Sequence, residues 1–362
     1  MNKNKIPRIF QNKNFLFTLI FVLIAVTSIL LIIWQSQEFS FGEFFRYIGS
    51  ASPLWICASV LSMMMFILFE GMALTVICRV FGYKTTLFNG YIYSAADIYF
   101  SAVTPSATGG QPASAYFMVK DGIKGVMVTA ALLLNLLMYT ASVIFIGIIC
   151  LIFRSDVFFS YGITSRILIV IGFVSQLILA LFLFMLLINR KLLHRICRGC
   201  IHALCKIRIL KNEEARQQKL DTHMDNYRKC INIIITHKKI MWLAFLLNLL
   251  QRISQITVTV FVYMATVGTS LAEALDVWFL QAYTVLGSNT VPVPGGIGIY
   301  DFIMMDGLRS IMSRGQAVHL ELLSRSLSFY FCIFICGSSI LLRYIYLIKK
   351  HRTANKTGDI CQ

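Results

Sequence analysis

The stretch "TPSATGGQP" (residues 104–112) follows the apolar, aromatic run "YSAADIYFSAV" and holds two of the six prolines in a 362-residue chain. A second stretch, "TVPVPGGIGIYD" (residues 290–301), holds two more. Proline removes a backbone donor and glycine admits dihedrals that other residues avoid, so a helix entering either stretch breaks there. Apolar sequence flanks both breaks, which predicts helix, break, helix over residues 87–118 and again over 274–312. In hydrocarbon, backbone groups released at such a break cost several kcal/mol each unless protein or water satisfies them.

Hydrocarbon is the expected surrounding. Of all residues 57% are hydrophobic and 14% charged, with a mean hydropathy of +0.73, far from a soluble domain. Charge-free runs near the roughly 20 residues that cross a bilayer core lie at 15–37, 53–69, 126–153, 167–189, 240–271 (interrupted once, by Arg252) and 326–342. The expected fold is an all-α polytopic membrane protein with six full transmembrane helices and two Gly/Pro-broken re-entrant hairpins, arranged as an inverted repeat. The alternative has eight spanning helices. The first run is too long for a signal-peptide core and reads as a retained anchor.

The formal net charge of +17 is not spread evenly. Residues 1–14, 189–239 and 343–362, together with Arg79, Lys84, Lys120 and Lys124, carry 26 of the 33 Lys and Arg. Six crossings place all of them on one side, the pattern of positive-inside topology. The expected organisation is a basic cytosolic N-terminus (1–14) and a first membrane half (15–188) with the re-entrant segment 87–118. A basic cytosolic connector (189–239) leads to a second membrane half (240–342) with the re-entrant segment 274–312, and then to a basic cytosolic tail (343–362). Anionic lipid headgroups fit such basic segments. Direct nucleic-acid binding is not expected, because no platform of interleaved aromatic and basic residues appears.

One break entering from each side, at matching places in two halves, is the pattern of an inverted-repeat transporter whose site lies near the midplane. Ionisable residues at depth mark such sites by default. Glu70, Asp97, Arg252 and Asp301 are the candidates. Arg252 has two readings, as partner of a lipid phosphate or of Asp301, Asp97 or Glu70. Asp301 can serve the site or cap the helix that follows it, and Glu70 can lie at depth or near the inner interface. Enzyme chemistry has little footing, with no Walker loop, no Gly-x-Ser-x-Gly and no His-Glu-x-x-His. The ten cysteines form no secreted disulfide framework. His194, Cys197, Cys200, His202 and Cys205 approach a zinc spacing, but lie among basic residues with no second well-spaced Cys pair. No metal or cofactor is expected.

At the two breaks, "TPSATGGQPASAYFMVKDGI" (104–123) and "NTVPVPGGIGIYD" (289–301), the chain resembles the flippase-like transmembrane domain of the lysylphosphatidylglycerol synthase (multiple peptide resistance factor) family. The resemblance spans about residues 10–350. It implies a lipid-headgroup path at Thr104, Pro105, Gly109, Gly110, Gln111 and Pro112 of the first motif, and at Pro292, Pro294, Gly295, Gly296, Gly298 and Asp301 of the second. It implies a bacterial plasma-membrane protein with both termini cytosolic, moving phospholipid, phosphatidylglycerol or lysylphosphatidylglycerol between leaflets in resistance to cationic antimicrobial peptides. Full-length relatives add a soluble domain that transfers lysine from lysyl-tRNA to phosphatidylglycerol. No polar segment here is long enough for one, so lysyltransferase activity is not expected of this chain itself. The rival expectations are a lysyltransferase, a membrane partner of a separate synthase, and a scaffold; a homo-oligomer fits all of them. Many relatives carry an acid and an arginine where this chain has Gln111 and Ser114.

Overall fold

The computed structural model describes residues 41–104, 108–206, 217, 227, 230–233, 236–268, 270–289, 296 and 298–358. Every regular element among them is helical. Five helices are long and apolar enough to cross a membrane: α2 (Pro53–Val80), α5 (Gly125–Phe153), α7 (Ile163–Ile188), α9 (Lys238–Thr266), and the continuous run of α12 (Arg314–Arg325), a π-helical stretch (Ser326–Phe331) and α13 (Cys332–Gly358). The chain is a multi-pass, all-α membrane protein. Each of the five falls on a predicted span, while the sixth, 15–37, lies outside the described residues.

Two boundaries differ from expectation. α2 runs past Glu70 to Val80, and the last span begins at Arg314 rather than at 326. In both cases a charge looks like the end of a span in the sequence, yet the helix takes it inside. Glu70, Glu321 and Arg325 are all buried.

At the centre α2 and α9 run antiparallel. Ser59 Oγ donates to the Val258 carbonyl at 3.3 Å, Ser62 Oγ to that of Ser254 at 2.8 Å, and Gln251 Nε2 to Glu70 Oε2 at 2.9 Å. Small residues let helices approach where apolar area alone gives no drive in lipid. Gly71 of α2 meets the Gly90 backbone so closely that an added Cβ would lie 2.8 Å from it.

Each central helix leads into a helical hairpin. The first joins α3 (Leu87–Val103) to α4 (Gly110–Lys120). Gly110 lies against Asp97 and Ser101, and Asp121 accepts a hydrogen bond from Tyr93 Oη at 2.8 Å, so the arms run back along each other. The second joins α10 (Leu271–Ser288) to α11 (Ile299–Leu308). Gly287 meets Ile303, while Gly307, further on, meets Leu280, further back. With 11 and 10 residues, α4 and α11 reach only about 15 Å, half a bilayer core.

The hairpins open at opposite ends of the bundle. Arg343 of α13 pairs with Asp121 at 2.7 Å at one end. At the other, Arg154 pairs with Asp276 at 2.5 Å, and the Gly162 amide donates to Asp306 Oδ2 at 2.8 Å. α1 (Phe41–Gly49) closes that second end, with Tyr47 bonded to Thr266 at 2.6 Å. Two hydrophobic clusters form the core, one around each hairpin. α7 turns Ile167, Val170, Ile171, Val174 and Ile178 outward, an apolar face suited to lipid. From the connector, α8 (Arg190–Lys206) continues α7, and buried Tyr227 reaches back to the Leu187 carbonyl at 3.4 Å. The side chains of Cys197 and Cys200 are outside the described residues.

A polar cavity between the two hairpins

A cavity of about 590 Å³ lies between the helix ends that lead into the two breaks, the size of a small-molecule site. Ser101, Ala102 and Gln111 reach it from the first hairpin, and Ser288, Asn289 and Gly296 from the second. Four charged side chains line it: Glu70, Asp97, Arg252 and Arg325. Most of the remaining polar lining consists of amides.

On the first wall Glu70 accepts from Gln251 and, at 3.1 Å, from Ser94 Oγ. Its carboxyl neighbours that of Asp97. Asp97 Oδ2 accepts from Gln111 Nε2 at 2.7 Å, and Oδ1 accepts from Ser101 at 3.2 Å. The hairpin makes these bonds possible: Gln111, in the first turn of α4, folds back over Asp97 of α3. At Gly110 an added Cβ would lie 2.0 Å from Asp97 Oδ1, so only glycine lets the arms close there.

Arg252 faces the same wall from α9. Its guanidinium stacks 4.1 Å above the Tyr139 ring and donates to Gln255 Oε1 at 2.5 Å. Among the described residues it makes no ion pair within 4 Å, and its buried Nε has no hydrogen-bond partner. A buried arginine held by rings and an amide is a ready donor to an anion.

The opposite wall belongs to Tyr300 and Arg325. Gln281 bonds to Tyr300 Oη, and the Arg325 guanidinium lies 4.3 Å above the Tyr300 ring and 4.8 Å from that of Phe329. Behind them sit Asp301 and Glu321, both buried. Asp301 Oδ1 is 3.4 Å from Arg325 Nε, and Oδ2 accepts from the Gly298 amide at 2.9 Å. Gly298 stands at φ +84°, which glycine adopts without strain. Gln176, Gln251 and Gln281 each keep a buried amide oxygen without a partner. Buried acceptors left open mark a place that water or a ligand fills.

Of the residues singled out in the sequence, Glu70, Asp97, Gln111, Arg252 and Gly296 line the cavity. Thr104 closes the first break, with Oγ1 donating to the Phe100 carbonyl at 2.6 Å and accepting from the Gly109 amide at 2.8 Å. Pro112 lies in the first turn of α4, exposed and off the cavity wall. Asp301 caps α11 and also joins the arginine, one layer behind the wall. Ser114 is buried against Met118. Pro105, Pro292, Pro294 and Gly295 lie outside the described residues.

Glu321 and Arg325 were absent from the sequence reading. Their i, i+4 spacing in "RGQAVHLELLSR" and the apolar run directly behind them were the available signal.

The description "lysylphosphatidylglycerol synthase TM region" belongs to a family model that matches residues 19–336. The chain belongs to that family. Among curated proteins nothing matches it. Both motifs of this member of the lysylphosphatidylglycerol synthase TM family contribute to the cavity wall, the first through Gln111 and the second through Asn289, Gly296 and Tyr300. At the two positions where many relatives carry an acid and an arginine, Gln111 bonds to Asp97 and Ser114 lies buried against Met118.

Proposed function

We propose that the protein moves a phospholipid or aminoacylated phospholipid between the leaflets of a bacterial plasma membrane. The observation that carries this reading is the single cavity wall bearing both Arg252 and the Glu70–Asp97 pair. A phosphate accepts from Arg252, an ammonium donates to Glu70 or Asp97, and the acyl chains remain in lipid. The opening of the two hairpins at opposite ends supports a site reached in turn from each face. In this reading both hairpins are re-entrant, the basic connector and both termini are cytosolic, and the activity contributes to resistance to cationic antimicrobial peptides. A separate synthase would supply an aminoacylated substrate.

A leaflet-resolved assay in proteoliposomes, with headgroup-labelled phosphatidylglycerol and lysylphosphatidylglycerol, tests it. A charge-assisted hydrogen bond contributes about 1.5–3 kcal/mol, so Arg252→Ala should slow translocation roughly ten- to hundredfold. Equal rates for Arg252→Ala and wild type would remove the site assignment. Asp97→Asn should slow the aminoacylated lipid more than phosphatidylglycerol, because only the former presents an ammonium.

A further inference from the structure

Glu321 has no role in the headgroup site. It does not line the cavity, it is 1% exposed, and neither carboxyl oxygen has a hydrogen-bond partner. Two open acceptors on one buried carboxylate are costly, since an ionised group in a dry site needs a partner or a proton. The charged and titratable groups that face it are Asp301 and Tyr300 of α11 and Arg325 on its own helix. The other elements packed on α12 bring Thr259 of α9, bonded to Ser324, and Tyr47 of α1, its ring tilted against that of His319. Asp301 and Arg325 already form an ion pair. One negative charge is therefore left over, on the carboxyl with no partner.

We infer that Glu321, set against Asp301 and Arg325, is a proton-binding carboxyl that couples lipid movement to a proton gradient. The inference rests on the lipid-translocation reading and supplies its energy source. A proton suits the place better than a metal cation, because the Arg325 guanidinium already occupies the positive position beside both carboxyls. The proton balance is simple: Glu321 takes one proton from water on one face and returns it to water on the other, with no further reactant.

Arg325 and Tyr300 belong to both the cavity wall and this cluster. A headgroup phosphate in the cavity draws Arg325 toward itself and weakens its hold on Asp301. The negative charge left without its guanidinium is then neutralised by a proton taken up at Glu321. Headgroup and proton are thus taken up together. When the headgroup leaves, Arg325 returns to Asp301 and the proton is released.

Two measurements on the full chain in lipid separate this from the function reading. Infrared titration of wild type should show a protonated-carboxyl band near neutral pH that is missing from the isosteric Glu321→Gln variant and displaced in Glu321→Asp. In proteoliposomes, a pH gradient should speed wild-type phosphatidylglycerol movement by roughly tenfold, and Glu321→Gln should lose that response while still equilibrating lipid without a gradient. Absence of a Glu321-dependent band overturns the proton site. A band accompanied by gradient-independent lipid movement overturns the coupling. A band with no lipid movement under any condition overturns both the coupling and the translocation reading, and leaves proton binding standing.

Discussion

At the residue scale the tight constraint beside the cavity is Gly110. An added Cβ would lie 2.5 Å from the backbone carbonyl oxygen of Asp97 as well as against its carboxylate, so no side-chain rotation relieves it. Gly110→Ala should destabilise the protein by about 1–3 kcal/mol, the cost of overpacking a filled site. Gly125→Ala, which meets nothing within 4 Å, is the matched control, and thermal unfolding in detergent compares them. Gln111 and Asp97 were both legible in sequence as candidates, one from the motif and the other from its charge at depth. Their bond was not, because it depends on a chain reversal that brings residues 14 apart face to face. Glu321 was illegible for the opposite reason: Arg314, Gln316, His319 and Arg325 make its segment look like a surface helix, and only the packed bundle makes it a buried charge.

At the scale of elements, the sequence carried helix–break–helix at both motifs with near-correct limits, since proline and glycine act locally. The hairpin closures are tertiary and left no such mark. Asp121 holds the first closure, accepting from Tyr93 at 2.8 Å and from Arg343 at 2.7 Å. Losing one partner of a partly exposed pair costs up to about 1 kcal/mol. Asp121→Ala, which loses both, should therefore raise amide exchange in α3 and α4 more than Arg343→Ala does, as read by hydrogen-exchange mass spectrometry. If the two variants exchange alike, Tyr93 adds nothing to the clasp. The π-helical stretch Ser326–Phe331 matters at this scale too. It sits directly after Arg325 and places Phe329 beneath the guanidinium, and π-helical turns within α-helices recur at functional sites.

For the whole molecule, matching breaks entering from opposite sides predicted an inverted arrangement, and among the described residues the hairpins open at opposite ends. Membrane depth is tested by a cysteine at the first break. Thr108→Cys should react slowly with a membrane-impermeant maleimide from either side, whereas Lys124→Cys and Ser310→Cys should react from opposite sides. Rapid labelling of Thr108→Cys from the side that labels Ser310→Cys would mean that α3 and α4 span fully.

The line between α2 and α9 has a mechanical meaning. Each hairpin packs within its own hydrophobic cluster, while two of the bonds joining the central helices run from serine hydroxyls to backbone carbonyls. A hydroxyl that lets go of one carbonyl finds another a turn along the same helix. Hydrogen bonds of that kind are exchangeable, so a small shift along this seam costs few of them.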